Sequence, residues 1–372
     1  MQSRTIGGDH PLKLGIFSAN VSSASACTRV PERWEATWAN NVAVTQMAEA
    51  ADIDFMLPVA RWKGYRGPTN FEGESLESLT WASALLAITK KIKVFGTVHV
   101  ALLHPVFAAK QMATADQIGH GRFGLNIVCG WNPDEFEMFG IQEQREHDER
   151  YAYGTEWWQI VQMLWHENQS FDFNGKYFNL HGLISQPRPW EGTRPTVINA
   201  GSSLAGLSFA VNNSDYVFTT LVDEEHGKTT VEKISQVSRQ LQKQVELLTM
   251  SYIVCRPTTR EAEDYHRHYA EENGDWEGVD HWLDMMGKHT RGRSPELRDL
   301  FRIRFAGGHG GYPIIGSPDD VAGKLIRLHQ IGFAGTTLTF VNFLAEFPYF
   351  ADEVLPRLEG AGLRQRRIPS AA

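Results

Sequence analysis

Nowhere in the 372 residues does an apolar run approach the roughly 18 residues that a membrane-crossing helix needs, so a membrane span is excluded. Residues 1–10 hold no apolar run of signal-peptide length either. Cysteine is scarce: Cys27, Cys129 and Cys255 are far apart, odd in number and not in metal-ligand spacing. They read as reduced thiols of a cytoplasmic protein, with Cys129 in the core. Excess positive charge is also lacking. A formal net charge of −8 leaves no basic footprint for nucleic acid, and only the tail Arg364-Gln365-Arg366-Arg367 is strongly basic. No His-Glu-x-x-His, Gly-x-Ser-x-Gly or Walker loop occurs, and no Gly-x-Gly-x-x-Gly follows the first strand. His266 and His268 sit in a helical segment, where positions two apart point to different faces, so no metal site is expected there. No nucleophile–base pair stands out, and an enzyme of this size without one leaves the hard chemistry to a cofactor.

What is present suits a large globular core. Hydrophobic residues make up 42% and charged residues 22%, and the 11 tryptophans and 20 phenylalanines could pack a core or face a flat ring ligand. Short apolar runs predict strands at 13–17, 54–59, 93–98, 123–129, 196–201, 216–221, 247–254 and 336–341. Helical spacing falls between them, at 34–51, 77–89, 105–118 and 230–245, and after Ser203. Another helix, capped by Asp148, carries Trp157, Ile160, Val161 and Leu164 at i, i+3, i+4 and i+7. Asn174-Gly175 signals a small hairpin within 171–181, and Ser317-Pro318-Asp319-Asp320 is a helix start. Eight buried strands alternating with helices call for a single parallel (β/α)8 TIM barrel spanning 1–372. Residues 255–316 then form an insertion after the seventh strand, a lid with a flexible loop at 307–311.

In such a barrel, residues just past the strand C-termini share the ligand face. Ala60, Arg61, Thr97, Asn126, Glu135, Ser202, Ser203 and the nearby Arg150 are expected there, beside a mouth built by Trp131, Asn132 and Asp134. Asn126 interrupts an apolar strand, where a carboxamide must find partners: it faces a ligand or is a satisfied core amide. Ser202 and Ser203 open a helix after a glycine and could hold a phosphate with Arg150; the alternative is a plain helix cap and a surface charge. His104, before Pro105, is a candidate general acid or base or else structural.

The runs His104-Pro-Val-Phe-Ala-Ala-Lys-Gln, Gly121-Arg-Phe-Gly-Leu-Asn-Ile-Val-Cys-Gly-Trp131, His147-Asp-Glu-Arg-Tyr151 and Ala200-Gly-Ser-Ser203 resemble the bacterial-luciferase-like flavin monooxygenases. Within that family the chain is most similar to the branch of the pyrimidine, dimethylsulfone and dibenzothiophene-sulfone monooxygenases. The resemblance implies a two-component monooxygenase in which a separate NAD(P)H:flavin reductase supplies reduced FMN. With O2 as co-substrate, such an enzyme oxygenates a small pyrimidine- or pyridine-like heterocycle, or an organosulfur compound, through a flavin peroxide. By matching position it assigns FMN contacts to Ala60, Arg61, Asn126, Glu135, Arg150, Tyr151 and Ser203, and the oxygen pocket to Thr97 and Asn126. Arg61 stands where that branch's pyrimidine enzyme has lysine, and His104 where it has proline. The resemblance also implies assembly as a homodimer or homotetramer. The same fold also admits an F420-dependent oxidoreductase or a flavin-binding protein without turnover.

Overall fold

The computed structural model describes residues 4–130, 132–141, 146–286 and 295–365. Among the described residues eleven strands are arranged as one nine-stranded sheet and one hairpin. The sheet runs β10-β9-β11-β1-β2-β3-β4-β7-β8, and β8 also pairs with β9, so a ring of parallel strands closes with β10 outside it. This is the expected (β/α)8 barrel. The chain divides into two compact units.

The first unit comprises Met1–Ile6, Glu77–Phe218 and Ile234–Glu246. It holds α2 (Ser78–Ile88), β3 (Lys93–His99), α3 (Pro105–Ile118), β4 (Phe123–Val128), α4 (Pro133–Met138) and α5 (His147–His166). The hairpin β5 (Phe171–Asn174) and β6 (Asn179–Leu183) follows, then β7 (Thr196–Asn199), α6 (Leu204–Asn213) and β8 (Tyr216–Thr219). A strand shows alternate side chains to its two faces. On β3, a Cβ added at Gly96 would meet the Leu79 side chain of α2 at 2.5 Å, so Gly96 faces the helices. Phe95 and Thr97 therefore face the other way. Phe95 lies over Gly124 of β4, where a Cβ would sit 2.4 Å from its ring, and Thr97 is in register with Asn126. On α5, Trp157, Ile160, Val161 and Leu164 are all buried, and the Trp157 indole N–H donates to Leu103 O at 2.7 Å. Helix α5 starts one residue before Asp148, which lies in its first turn; the N-cap is Glu146, with no side-chain cap bond.

The second unit comprises Gly7–Leu76, Thr219–Lys233 and Leu247–Ala372. It holds β1 (Lys13–Phe17), α1 (Trp38–Ala50) and β2 (Phe55–Leu57), while α7 (Glu224–Leu241) and β9 (Glu246–Cys255) straddle the division. After β9 come α8 (Thr259–His266), a π-helical segment (Arg267–Glu272), α9 (Trp276–Met285), α10 (Pro295–Gly308) and β10 (Tyr312–Gly316). The unit ends with α11 (Pro318–Ile331), β11 (Gly335–Thr339), α12 (Phe343–Glu353) and α13 (Leu355–Gly360). In its described residues the insertion after the seventh ring strand is thus mainly helical, and it adds β10 to the sheet beside β9.

Several boundaries differ from the sequence expectation. Helix α1 begins at Trp38, capped by Thr37; Trp34 is instead a core residue whose indole N–H donates to Ala19 O at 2.8 Å. Helix α7 begins at Glu224, ahead of residue 230, and ends at Leu241. Gly307 and Gly308 end α10 instead of forming a loop, and the helix end packs so near Tyr252 that a Cβ at Gly308 would sit 2.4 Å from its side chain. The Ser317 cap is as expected, a capping box with Asp320. Among the described residues no helix is long and apolar enough to cross a membrane, and Cys27, Cys129 and Cys255 are free and buried.

Candidate active site

In the first unit, Ser78 fixes the backbone of Thr97. Its hydroxyl accepts from Thr97 N–H at 2.6 Å and donates to Thr97 O at 3.0 Å. Asn126 then donates through Nδ2 to Thr97 Oγ1 at 3.2 Å. The other amide atom, Oδ1, is buried with no hydrogen-bond partner among the described residues. A buried polar atom in that condition costs stability unless a ligand or a rearrangement supplies a partner. Two residues further along β3, His99 Nδ1 lies 3.7 Å from Glu135 Oε2, both side chains being buried. Glu135 is placed by a short capped turn. Asn132 Oδ1 accepts from the N–H groups of Asp134 and Glu135 at 3.1 and 3.4 Å, and Pro133 occupies the first helical position. Trp131 lies outside the described residues.

A second cluster of the same unit forms where β7 leads into α6. Asn199 donates to Ile127 O at 2.7 Å and accepts from Gly201 N–H at 2.9 Å, which sets the path of the turn. Gly201 packs on Gly206 so closely that a Cβ there would sit 2.3 Å from Gly206 O. Ser203 caps α6, its hydroxyl accepting from Gly206 N–H at 3.0 Å, while Ser202 is exposed. The Tyr151 hydroxyl is hydrogen-bonded to Ser203. Burial foremost, and then Cys129, raise its pKa, although Ser203 and Arg150 pull the other way. Tyr151 is therefore a neutral O–H donor at ordinary pH. Beside it, Arg150 Nη1 lies 3.5 Å from Gly130 O. A helix N-terminus with a guanidinium and neutral hydroxyls around it has the donor set a phosphate monoester requires.

Ala60 and Arg61 belong to the second unit. Ala60 is half-buried and Arg61 is buried. Arg61 Nε donates to Glu72 Oε2 at 2.9 Å and its guanidinium lies 4.6 Å from the Tyr65 ring centre. Glu72 Oε1 in turn lies 2.9 Å from His309 Nδ1. Arg61, expected on the ligand face, thus has a protein carboxylate on one side. His104 is exposed: its Nδ1 accepts from Val106 N–H at 3.4 Å as the N-cap of α3, and its ring sits edge-on to Phe178. His266 and His268 have separate partners, Tyr252 OH at 3.2 Å and Glu272 at 3.5 Å. Among the described residues no group of His, Cys, Asp and Glu could hold a metal ion.

Sequence reasoning missed Ser78, His99, Asn199, Glu72 and His309. His99 had a signal, since it alternates with Thr97 on one strand face. The others act through partners that no local pattern shows.

This barrel, with polar clusters at the ends of β3, β4 and β7, belongs to the barrel enzymes that seat ligands at strand C-termini. More narrowly, the chain belongs to the luciferase-like monooxygenase family, whose model matches residues 12–335. It is 30% identical over 368 residues to the pyrimidine monooxygenase RutA of Methylobacterium radiotolerans, covering 97% of this chain and 94% of that one. It is 28% identical over 371 residues to the protein of that name from Allorhizobium ampelinum, covering 97% of this chain and 100% of that one. Among solved structures, DmoA from Hyphomicrobium sulfonivorans superposes with a TM-score of 0.84 at 19% identity, covering 96% of this chain and 90% of that one.

Proposed function

We propose that this chain is the oxygenase component of a two-component system that uses reduced FMN and O2 to oxygenate a small heterocycle of the pyrimidine or pyridine kind, or an organosulfur compound. The observation that carries the reading is the donor set at the start of α6. Ser203 and the first-turn amides, the neutral Tyr151 hydroxyl and the Arg150 guanidinium would hold the FMN phosphate. The full-length likeness to pyrimidine monooxygenases supports the heterocycle.

Reduced FMN, when bound, supplies the electrons that activate O2. The chain's own residues do the rest. Ser78 holds the Thr97 backbone, and Asn126 donates to the Thr97 hydroxyl, so the Thr97 proton is directed away from Asn126. We assign this pair to orienting the oxygen that is transferred, and Glu135, braced by His99, to seating the flavin ring. A separate NAD(P)H:flavin reductase delivers the cofactor. The three unpaired cysteines suit the cytoplasm, and the working form is a homodimer or homotetramer.

Reduced FMN generated by any flavin reductase, labelled O2 and a panel of pyrimidines, pyridines and sulfones test the reading. One labelled oxygen atom in a product supports it. Binding of F420 in preference to FMN, or FMN binding with no oxygenation across the panel, overturns it.

A further inference from the structure

Glu146 gives the first turn of α5 no side-chain cap, yet this turn carries Arg150 and leads directly into Tyr151. Its support comes from the β5–β6 hairpin instead. The Glu156 carboxylate, two turns further along, accepts three successive backbone N–H groups of the hairpin turn. Lys176 donates to Oε1 at 2.8 Å, and Tyr177 and Phe178 donate to Oε2 at 2.9 and 3.3 Å. Gly175 N–H donating to Phe178 O at 2.8 Å closes the turn. Gly175 is also what admits the carboxylate, because a Cβ there would sit 2.3 Å from Glu156 Oε2. One helical turn nearer the start of α5, Tyr153 packs against Tyr177 and Phe178, with ring centres 5.5 and 5.0 Å apart. One turn nearer still, Glu149 Oε1 accepts from Lys176 Nζ at 2.6 Å and from Tyr177 OH at 3.0 Å.

Residues 149, 153 and 156 lie at spacings of four and three, one face of the helix. The hairpin turn is thus fixed along that face from the carboxylate of Glu156 back to the turn beside Arg150. Surface ion pairs such as Lys176–Glu149 contribute little singly. Three backbone N–H groups on one half-buried carboxylate form a stronger anchor, since hydrogen bonds to an ionised acceptor are about twice as strong as neutral ones.

We infer that Glu156 is a positioning residue for the phosphate end of the cofactor: through the hairpin turn it holds the first turn of α5, and with it Arg150 and Tyr151, against the start of α6. This rests on the proposed phosphate corner. Its reach is specific, because it concerns the phosphate and not the ring.

FMN and riboflavin, which share the ring and differ by the phosphate, separate the possibilities in equilibrium titrations of the whole chain. Glu156→Ala and Gly175→Ala are each expected to weaken FMN by about tenfold, the loss one misplaced charged hydrogen bond brings, while riboflavin binds as to the unaltered chain. Glu156→Gln, which keeps an oxygen for the Tyr177 and Phe178 N–H groups, recovers part of the loss. Hydrogen exchange in the first turn of α5 quickens in Glu156→Ala without ligand. Equal loss of FMN and riboflavin overturns the inference, leaving a merely structural hairpin. FMN binding unchanged in both variants, with Arg150→Ala weakened, overturns the inference and leaves the phosphate corner standing. An unaltered chain that does not prefer FMN to riboflavin overturns the corner itself, and the inference with it.

Discussion

Glu72 and His309 are 237 positions apart in sequence, yet Glu72 Oε1 lies 2.9 Å from His309 Nδ1 while Oε2 holds Arg61. Burial alone would raise the Glu72 carboxyl; His309 first, then Arg61, more than offset it, and the group titrates below its ordinary 4.5. The unfolded chain therefore takes up this proton at a higher pH than the folded one. The stabilisation is complete above about pH 4.5 and is lost as pH falls through the folded value. Glu72→Gln leaves Arg61 buried against a neutral amide and is expected to cost about 3 kcal/mol at pH 7. Urea unfolding at pH 7 and pH 4 checks this: the variant's deficit shrinks toward acid. A deficit that does not change with pH would show the pair to be electrostatically idle.

Thr97 and Asn126 invite a pair of substitutions. Thr97→Val leaves the Asn126 amide donor without its acceptor, and Thr97→Ser restores it. Product formation in a single turnover with reduced FMN should fall on the order of 100-fold in Thr97→Val and Asn126→Leu, the usual cost of removing one oriented donor. FMN affinity should stay close to that of the unaltered chain, and Thr97→Ser should recover most of the rate. Loss of FMN binding in step with the rate would assign the pair to seating the cofactor.

Ser203 lets stability and binding be separated. As the N-cap of α6 it accepts from Gly206 N–H, a role aspartate fills equally well. Ser203→Ala should lower stability by about 1 kcal/mol and also weaken FMN. Ser203→Asp should keep the melting temperature while its charge repels the phosphate, weakening FMN by at least about tenfold with riboflavin unaffected. Arg150→Ala should weaken FMN by roughly 10- to 100-fold, the worth of a charged hydrogen bond. Tight FMN binding by Ser203→Asp would remove the phosphate from this corner.

The barrel was legible because each ring strand is a short apolar run, and Trp157, Ile160, Val161 and Leu164 mark a buried helix face directly. Boundaries failed where tertiary contacts outweigh local preference. Gly308 reads as loop because it is glycine, but it stands there because a Cβ would strike Tyr252 at the packed end of α10, and the polar opening of α7 at Glu224 hides its start. Strand β10 was missed since Tyr312-Pro313-Ile314-Ile315-Gly316 is brief and follows glycines. In the site, Asn126 and Ser203 were readable as an anomaly in a strand and a cap after glycine. The hold on Arg61 was not, because its carboxylate Glu72 is shared with His309, far away in the chain.

His266 gives a further pH dependence, of the opposite ionic kind. Burial pushes its pKa down from 6.5 to about 4, and Tyr252, whose own hydroxyl burial keeps protonated, lies 3.2 Å from Nε2. Above about pH 6.5 the ring is neutral in both folded and unfolded chains and contributes no pH dependence. Below that the unfolded chain binds the proton first, so the folded state loses about 3 kcal/mol by pH 4. His266→Gln keeps an acceptor for the Tyr252 hydroxyl and removes the titration. Its stability should fall less steeply than that of the unaltered chain between pH 6.5 and 4, as read by urea midpoints across that window. Parallel curves for the two proteins would mean that the ring is protonated in the folded state and the Tyr252–His266 packing tolerates the charge.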